Sequence, residues 1–473
     1  MAKTQKRQLS PYLLVILSFI LVILVGSFLL VMPFSQTSGQ WAFNYTSADG
    51  SVKITYLDCL FTAVSATCVT GLCTFSQGIG NALTFYGQLI VMVLIQIGGL
   101  GFITVLTFVV TLFRSKLQFK NRFFLSQALN ATNFADVVLF VRRIIIISSI
   151  FELIGFLFGL PVAFILYPDN IFQGLWTSLF TSVSAFNNAG FDIFGNTSLI
   201  AQAGTLMATL KETHLWAYYY YLSYIMVLIV MGGISFLVII ELASGKRRST
   251  KQLTPFTKIV LATTSFLLIT GSVAFFLSDG IEPTNRISVF DAIFQSVTCR
   301  TAGFCTFDQA NLSSAGKTIS CILMFIGGSP LSTAGGIKTT TVFIVFVAMF
   351  CHLRGKSVTA FKRAYSPNTV LKGMTLLVMA FIGVVASIIA IASFERNNPA
   401  ATTDLIIFEA FSAFGTVGLS ANLTPLLSNG SKITICIMMF LGRLGPMTFF
   451  QVFNSRDQES GHYQYVEADF LVG

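Results

Sequence analysis

Four short runs of small and polar residues are the groups in this sequence best suited to hold a cation: Cys68-Val69-Thr70-Gly71, Asn187-Asn188-Ala189-Gly190, Arg300-Thr301-Ala302-Gly303 and Gly415-Thr416-Val417-Gly418. Each is followed by a large apolar residue, Leu72, Phe191, Phe304 or Leu419, and the four glycines lie 119, 113 and 115 residues apart. A motif that returns at near-constant spacing marks one unit used four times. Four such units around one axis would make a ring, and a ring of exposed backbone carbonyls is an ion filter. Glycine lets the chain adopt conformations closed to other residues and brings carbonyls close to a passing ion. The oxygens expected to coordinate are those of Thr70, Gly71, Asn188, Gly190, Thr301, Gly303, Thr416 and Gly418. Oxygen-only coordination without a ring of carboxylates suits a monovalent ion that must both bind and leave. Close helix packing would explain one such glycine, but not four at matched positions.

The elements that position these runs follow from the solvent. With 54% hydrophobic and 10% charged residues and 48 Phe, the composition is that of an integral membrane protein. The apolar run from Tyr12 to Met32 behind Lys3, Lys6 and Arg7 is too long for a signal peptide and stays as a span. Each repeat reads as a full span, a half-length helix, the filter run and a second span. First spans are expected near 11–33, 139–166, 256–278 and 368–394, and half-helices from Asp58, Ile171, Asp291 and Asp404. Second spans are expected near 82–113, 217–243, 316–350 and 431–453. The half-helices would point their negative ends inward, favouring a cation. The predicted architecture is an all-α membrane protein of four parallel repeats, with eight transmembrane helices and four re-entrant pore helices around one pore. The repeats occupy 1–122, 123–250, 251–364 and 365–453, with a cytoplasmic tail over 454–473.

Charge placement is an independent reading of orientation, because cytoplasmic loops collect Lys and Arg. Of 29 basic residues, 20 fall in the segments placed inside and six outside, with Arg300, Lys338 and Arg443 at membrane depth. Both termini are therefore expected in the cytoplasm, and all four units point the same way rather than inverted. The net charge of +10 reflects topology and contact with the lipid bilayer, and makes no case for nucleic acid. Lys246, Arg247, Arg248 and Lys251 form a basic cytoplasmic segment that could dock a regulator, although a solvated loop explains it as well.

Below the filter, the long third second-span is interrupted by Gly327-Gly328-Ser329-Pro330-Leu331-Ser332-Thr333-Ala334-Gly335-Gly336. Proline removes a donor and the glycines weaken helix on both sides, so a non-helical loop lining a wet cavity is expected. Gly328 lies 25 residues after Gly303, and Arg443 lies 25 after Gly418. Matching offsets place charge and break at one depth. The expected gate is loop 327–336 with Lys338, obstructing the path while Arg443 repels cations and bonds loop carbonyls. Arg300 is expected behind the filter as a buttress, with Glu409 a candidate partner.

Other chemistries are weakly supported. No HExxH, nucleophile elbow or nucleotide fingerprint occurs, the segment before Lys338 is not a phosphate loop, and an enzyme is not expected. A secondary transporter for another cation or small solute is the alternative, but that class favours inverted or twofold repeats. The eight cysteines form no metal or scaffold pattern, although a bridge between Cys73 and Cys305 is conceivable.

The runs FTAVSATCVTGL, SVSAFNNAGF, QSVTCRTAGF and FEAFSAFGTVGLS, with GGSPLSTAGGIKTTT and LGRLGPMT, resemble the Trk/Ktr/HKT superfamily of potassium transport proteins over essentially the whole chain. The length and the ending EADFLVG look most like the bacterial KtrB branch. The resemblance implies K+ as transported ion, with a sodium requirement left open, in a bacterial cell membrane. It also implies a homodimer and a cytosolic KtrA-like nucleotide-binding regulatory ring, so that ATP or ADP would bind a partner and no cofactor this chain. Only loops one and four approach the TVGYG filter of tetrameric channels, which implies weaker discrimination. The second loop, with Asn187 and Asn188, departs furthest.

Overall fold

The computed structural model describes residues 11–42, 45–46, 53–101, 134–195, 198–201, 205–244, 253–281 and 287–445. Apart from short 3-10 turns and two two-stranded antiparallel ribbons, the regular structure among them is α-helical. The ribbons pair Tyr45–Thr46 with Lys53–Ile54 and Thr359–Ala360 with Arg363–Ala364. The basic segment 246–251, the tail 454–473 and the ends of the expected spans beyond residues 101 and 445 lie outside the described residues.

In chain order the helices are α1 (Pro11–Val31), α2 (Tyr56–Thr67), α3 (Gly78–Ala82), α4 (Phe85–Leu100), α5 (Phe134–Leu166), α6 (Ile171–Phe186), α7 (Leu206–Thr213) and α8 (Leu215–Gly233). There follow α9 (Phe236–Ala243), α10 (Pro255–Asp279), α11 (Val289–Thr298), α12 (Ser314–Phe325), α13 (Thr339–Leu353), α14 (Pro367–Phe394), α15 (Thr403–Gly415) and α16 (Asn429–Leu444). Four stretches, Leu139–Leu166, Leu215–Gly233, Pro255–Asp279 and Pro367–Phe394, are long and apolar enough to cross a membrane. Ile16–Val31, Phe85–Leu100, Ser314–Phe325 and Thr339–Leu353 are shorter apolar helices.

The helices sort by burial. α5, α10 and α14 bury under a third of their apolar windows and turn side chains such as Leu157, Phe266, Ile269, Phe381 and Ile389 outward, as a hydrocarbon solvent allows. α2, α6, α11 and α15 bury most of their residues instead. They hold 12, 16, 10 and 13 residues, which at ~1.5 Å per residue falls short of a ~30 Å core. Three of the four starts are fixed by side-chain caps: Thr55 and Asp58 form a capping box, and the Asn170 and Ser288 side chains accept from Gln173 N and Asp291 N.

Contacts run in a cycle. Each buried short helix packs on the long helix before it, in the pairs α1–α2, α5–α6, α10–α11 and α14–α15. Each following helix packs on the next short one, in the pairs α4–α6, α8–α11, α12–α15 and finally α16–α2. The last pair joins the end of the chain to its beginning, where Lys432 Nζ meets Asp58 Oδ1 at 2.8 Å. The same close-packing device recurs. Ser182 Oγ donates to the Glu152 carbonyl and Ser296 Oγ to that of Leu268, beside Gly155 and Gly271, where no Cβ would fit.

One expected span is broken. The stretch 217–243 divides into α8 and α9 at Ile234-Ser235, because the amide of Phe236 leaves the helical ladder and donates to the Leu331 carbonyl.

Candidate functional site

The four short helices end in one shared backbone signature. Val69, Asn188, Thr301 and Thr416 are left-handed, with φ of 57°, 58°, 71° and 50°, and the glycine two residues on has φ of 100°, 68°, 82° or 90°. Non-glycine residues adopt this region at a cost and only where surroundings enforce it. In loops one, two and four the amides of Thr70, Ala189 and Val417 reach back to the carbonyls of Ser65, Ser184 and Ser412, while in loop three Ala302 bonds Thr298. Ser65 Oγ further accepts from Gly71 N at 3.1 Å.

These loops converge. A Cβ on Gly71 would lie 2.5 Å from the Ala189 oxygen, on Gly190 2.6 Å from that of Ala302, on Gly303 2.4 Å from that of Val417, and on Gly418 2.1 Å from that of Thr70. The contacts close on themselves, so each loop's glycine is shouldered by the carbonyl preceding the next loop's glycine. Of these four oxygens the sequence reading named only Thr70's. Asn188, Thr301 and Thr416 turn out to be the left-handed residues two positions before the glycine. The hydroxyls of Thr70, Thr301 and Thr416 are buried without a protein partner among the described residues.

Above the glycines lies an open cavity of about 400 Å³ that touches all four of them, with Cys73, Cys305, Ser420 and Asp192 on its wall. Asp192, 9% exposed, accepts from Ser198 Oγ and Phe194 N. Burial outweighs these bonds and pushes its carboxyl up to about 6. At the rim Asn422 donates to both oxygens of Asp308. Cys73, Cys305 and the other six cysteines are free thiols, so no bridge spans the mouth.

Beneath the glycines, Gly327–Gly336 is non-helical between α12 and α13. Its backbone is sewn to the neighbouring helix ends: Ser329 N donates to the Gly233 carbonyl, Thr333 N and Oγ1 to that of Gly232, and Gly336 N to that of Gly442. Thr333 and Ala334 are buried, Gly335 packs against the Thr416 side chain, and Leu331 is left-handed at φ 55°. Lys338 Nζ donates to the Ala334 carbonyl at 2.6 Å. From α16, Arg443 reaches across to the carbonyls of Thr333, Gly98 and Gly99, so one guanidinium ties the loop to the end of α4.

The expected pairing of Arg300 with Glu409 does not occur. Glu409 is satisfied by the nearby hydroxyls of Ser420 and Thr424, which leaves it no call for a distant cation. Arg300, 7% exposed, lines a small cavity with Val230, Gly233, Thr264 and Gly328. It therefore sits behind the third loop, beside the start of the Gly327–Gly336 segment.

Sequence reasoning missed a polar cluster between α4 and α5. Glu152 accepts from Gln96, Ser148 and Asn187, and the Asn187 amide also donates to Gln96 Oε1 and the Val183 carbonyl. The available signal was a lone acid in the apolar stretch Leu139–Leu166. With its amide oriented to suit its neighbours, Asn188 donates to the carbonyls of Ala185 and Ile229. Both asparagine side chains thus brace the second loop from behind. No group of His, Cys, Asp and Glu among the described residues could hold a metal ion.

Comparison with known proteins is consistent along the chain. The profile of the TrkH family, described as cation transport protein, matches residues 22–463. The potassium/sodium uptake protein NtpJ of Enterococcus hirae is 33% identical, over 100% of this chain and 99% of its own. The Ktr system potassium uptake protein B of Bacillus subtilis is also 33% identical, over 98% and 97%. Among solved structures, the potassium transporter TrkH of Vibrio parahaemolyticus superposes with a TM-score of 0.66 at 14% identity, covering 95% of this chain and 86% of that one.

Proposed function

The chain belongs to the TrkH family of cation transport proteins, and from that membership we propose that it is the potassium-translocating membrane subunit of a Ktr-type uptake system. In this reading it comprises four units, 1–122, 123–250, 251–364 and 365–453, each crossing the membrane twice and dipping in once, with both termini in the cytoplasm. Dehydrated K+ passes the carbonyls of the four loops, and the Gly327–Gly336 segment with Lys338 and Arg443 gates the path below. A homodimer, a cytosolic nucleotide-binding regulator and a role for sodium complete the proposal. The name of the B. subtilis relative, one protein of a system, supports partner components, and that of the E. hirae relative supports a role for sodium.

The observation that carries this reading is the closed approach of Gly71, Gly190, Gly303 and Gly418. Four backbone oxygens in a closed cycle, with no carboxylate among them, can replace the hydration shell of a monovalent cation. The test is growth and initial ion uptake in a cell lacking its own potassium uptake. Wild type should restore both at low external potassium. Gly303→Ser should abolish them, because its Cβ would sit 2.4 Å from the Val417 oxygen at a φ of 82°. Equal rescue by Gly303→Ser would count against the filter.

A further inference from the structure

Resting on the potassium pathway just proposed, we propose that Glu152 is a positioning residue of the filter: it holds Asn187 at the root of the second loop and gives that loop a fixed negative charge.

Glu152 lies at the midpoint of the apolar stretch Leu139–Leu166. A charge at that depth is costly and is by default functional. Every hydrogen bond to its carboxylate among the described residues is one that it accepts. Gln96 Nε2 donates to both carboxylate oxygens at 2.9 and 3.1 Å, Ser148 Oγ to Oε1 at 2.9 Å and Asn187 Nδ2 to Oε1 at 3.0 Å. An ionised carboxylate accepts and cannot donate, so this set fits the charged form. The ion pairs among the described residues are Lys317–Asp404 and Lys432–Asp58, and Arg443 gives its bonds to carbonyls. The charge is thus left for the transported cation to feel in a low-dielectric interior.

The grip is double. The Glu152 side chain takes Asn187, which caps α6 and leads directly into Asn188-Ala189-Gly190. Its backbone carbonyl takes Ser182 Oγ one turn earlier on α6. In the third unit Leu268 offers the same carbonyl to Ser296 without a carboxylate. The second loop, the least regular in sequence, is therefore the one given an acidic brace.

The test compares Glu152→Gln, Asn187→Asp and the exchange Glu152→Gln/Asn187→Asp in initial potassium uptake, with transporter counted at the membrane. Glu152→Gln keeps size and one acceptor but removes the charge. It should raise the half-saturating potassium concentration about tenfold, with the maximal rate per transporter unchanged to within about twofold. The exchange returns the charge one side chain nearer the pathway and should bring half-saturation back to within about threefold of wild type. Unchanged half-saturation in Glu152→Gln overturns the inference. So does a loss that follows membrane abundance or thermal midpoint alone, with no recovery in the exchange, for that is a merely structural brace. A wild type that moves no potassium in the same assay fails at the earlier reading and takes this one with it.

Discussion

At the scale of single residues, the four loops depend on a pairing that side-chain chemistry barely announces. The glycines were legible, because nothing else tolerates their φ so close to a neighbouring carbonyl. The oxygens that shoulder them were not, since they belong to Ala189, Ala302 and Val417 as well as Thr70, and any residue has a carbonyl. Glu152 was hidden for another reason: Gln96 and Asn187 lie 56 and 35 residues from it in sequence, so only the folded chain shows that it has partners. Asp192 is the residue in the outer cavity whose charge can be tuned. Burial raises its carboxyl to about 6, so the cavity is negatively charged above that pH and loses this charge as pH falls through it. Potassium uptake at sub-saturating concentration should therefore drop as external pH falls from 7 to 5. Asp192→Asn should lower uptake at pH 7 and flatten that part of the profile. A pH response identical in the two proteins would mean that Asp192 does not attract the ion.

At the scale of elements, the break between α12 and α13 was readable from Pro330 and its flanking glycines, yet its anchoring was not. The loop is no loose strand, since Gly232 and Gly233 of α8 and Gly442 of α16 accept its amides and Arg443 bonds its Thr333 carbonyl. The division of α8 from α9 has the same origin, because the Leu331 carbonyl takes an amide that a sequence-based helix would keep. A hydrogen bond from a charged group contributes about 1.5–3 kcal/mol, so Arg443→Gln should loosen the loop and raise ion flux severalfold. Patch or flux measurements in reconstituted vesicles read this directly, and unchanged flux in a folded variant would remove Arg443 from the gate. The join between α16 and α2 is tested by stability. Lys432→Met strands Asp58, 5% exposed, without its cation and should cost about 3–5 kcal/mol. Thermal unfolding in detergent should show a lower midpoint, largely regained in Asp58→Asn/Lys432→Met.

At the scale of the whole molecule, composition identified the solvent and the recurring glycines suggested a ring, but only the folded contacts reveal how the circle is fastened. Its last seam joins residues 374 positions apart in sequence, through Lys432 and Asp58. The first quarter therefore has no complete partner until the final one is made. Residues 1–364 expressed alone should fail to accumulate, and co-expression with 365–473 should restore accumulation and potassium uptake. Full activity of 1–364 alone would show that the seam is dispensable. The cyclic contact of four glycines also has a genetic consequence. In a ring of four identical chains any codon change strikes every side at once, so a lopsided solution can never be sampled. Here the gene encodes each side separately, and drift at Asn187 or Arg300 alters one wall while three stay as they were. Divergence among the loops is thus a freedom that a single continuous chain confers, and it lets each wall change in single steps.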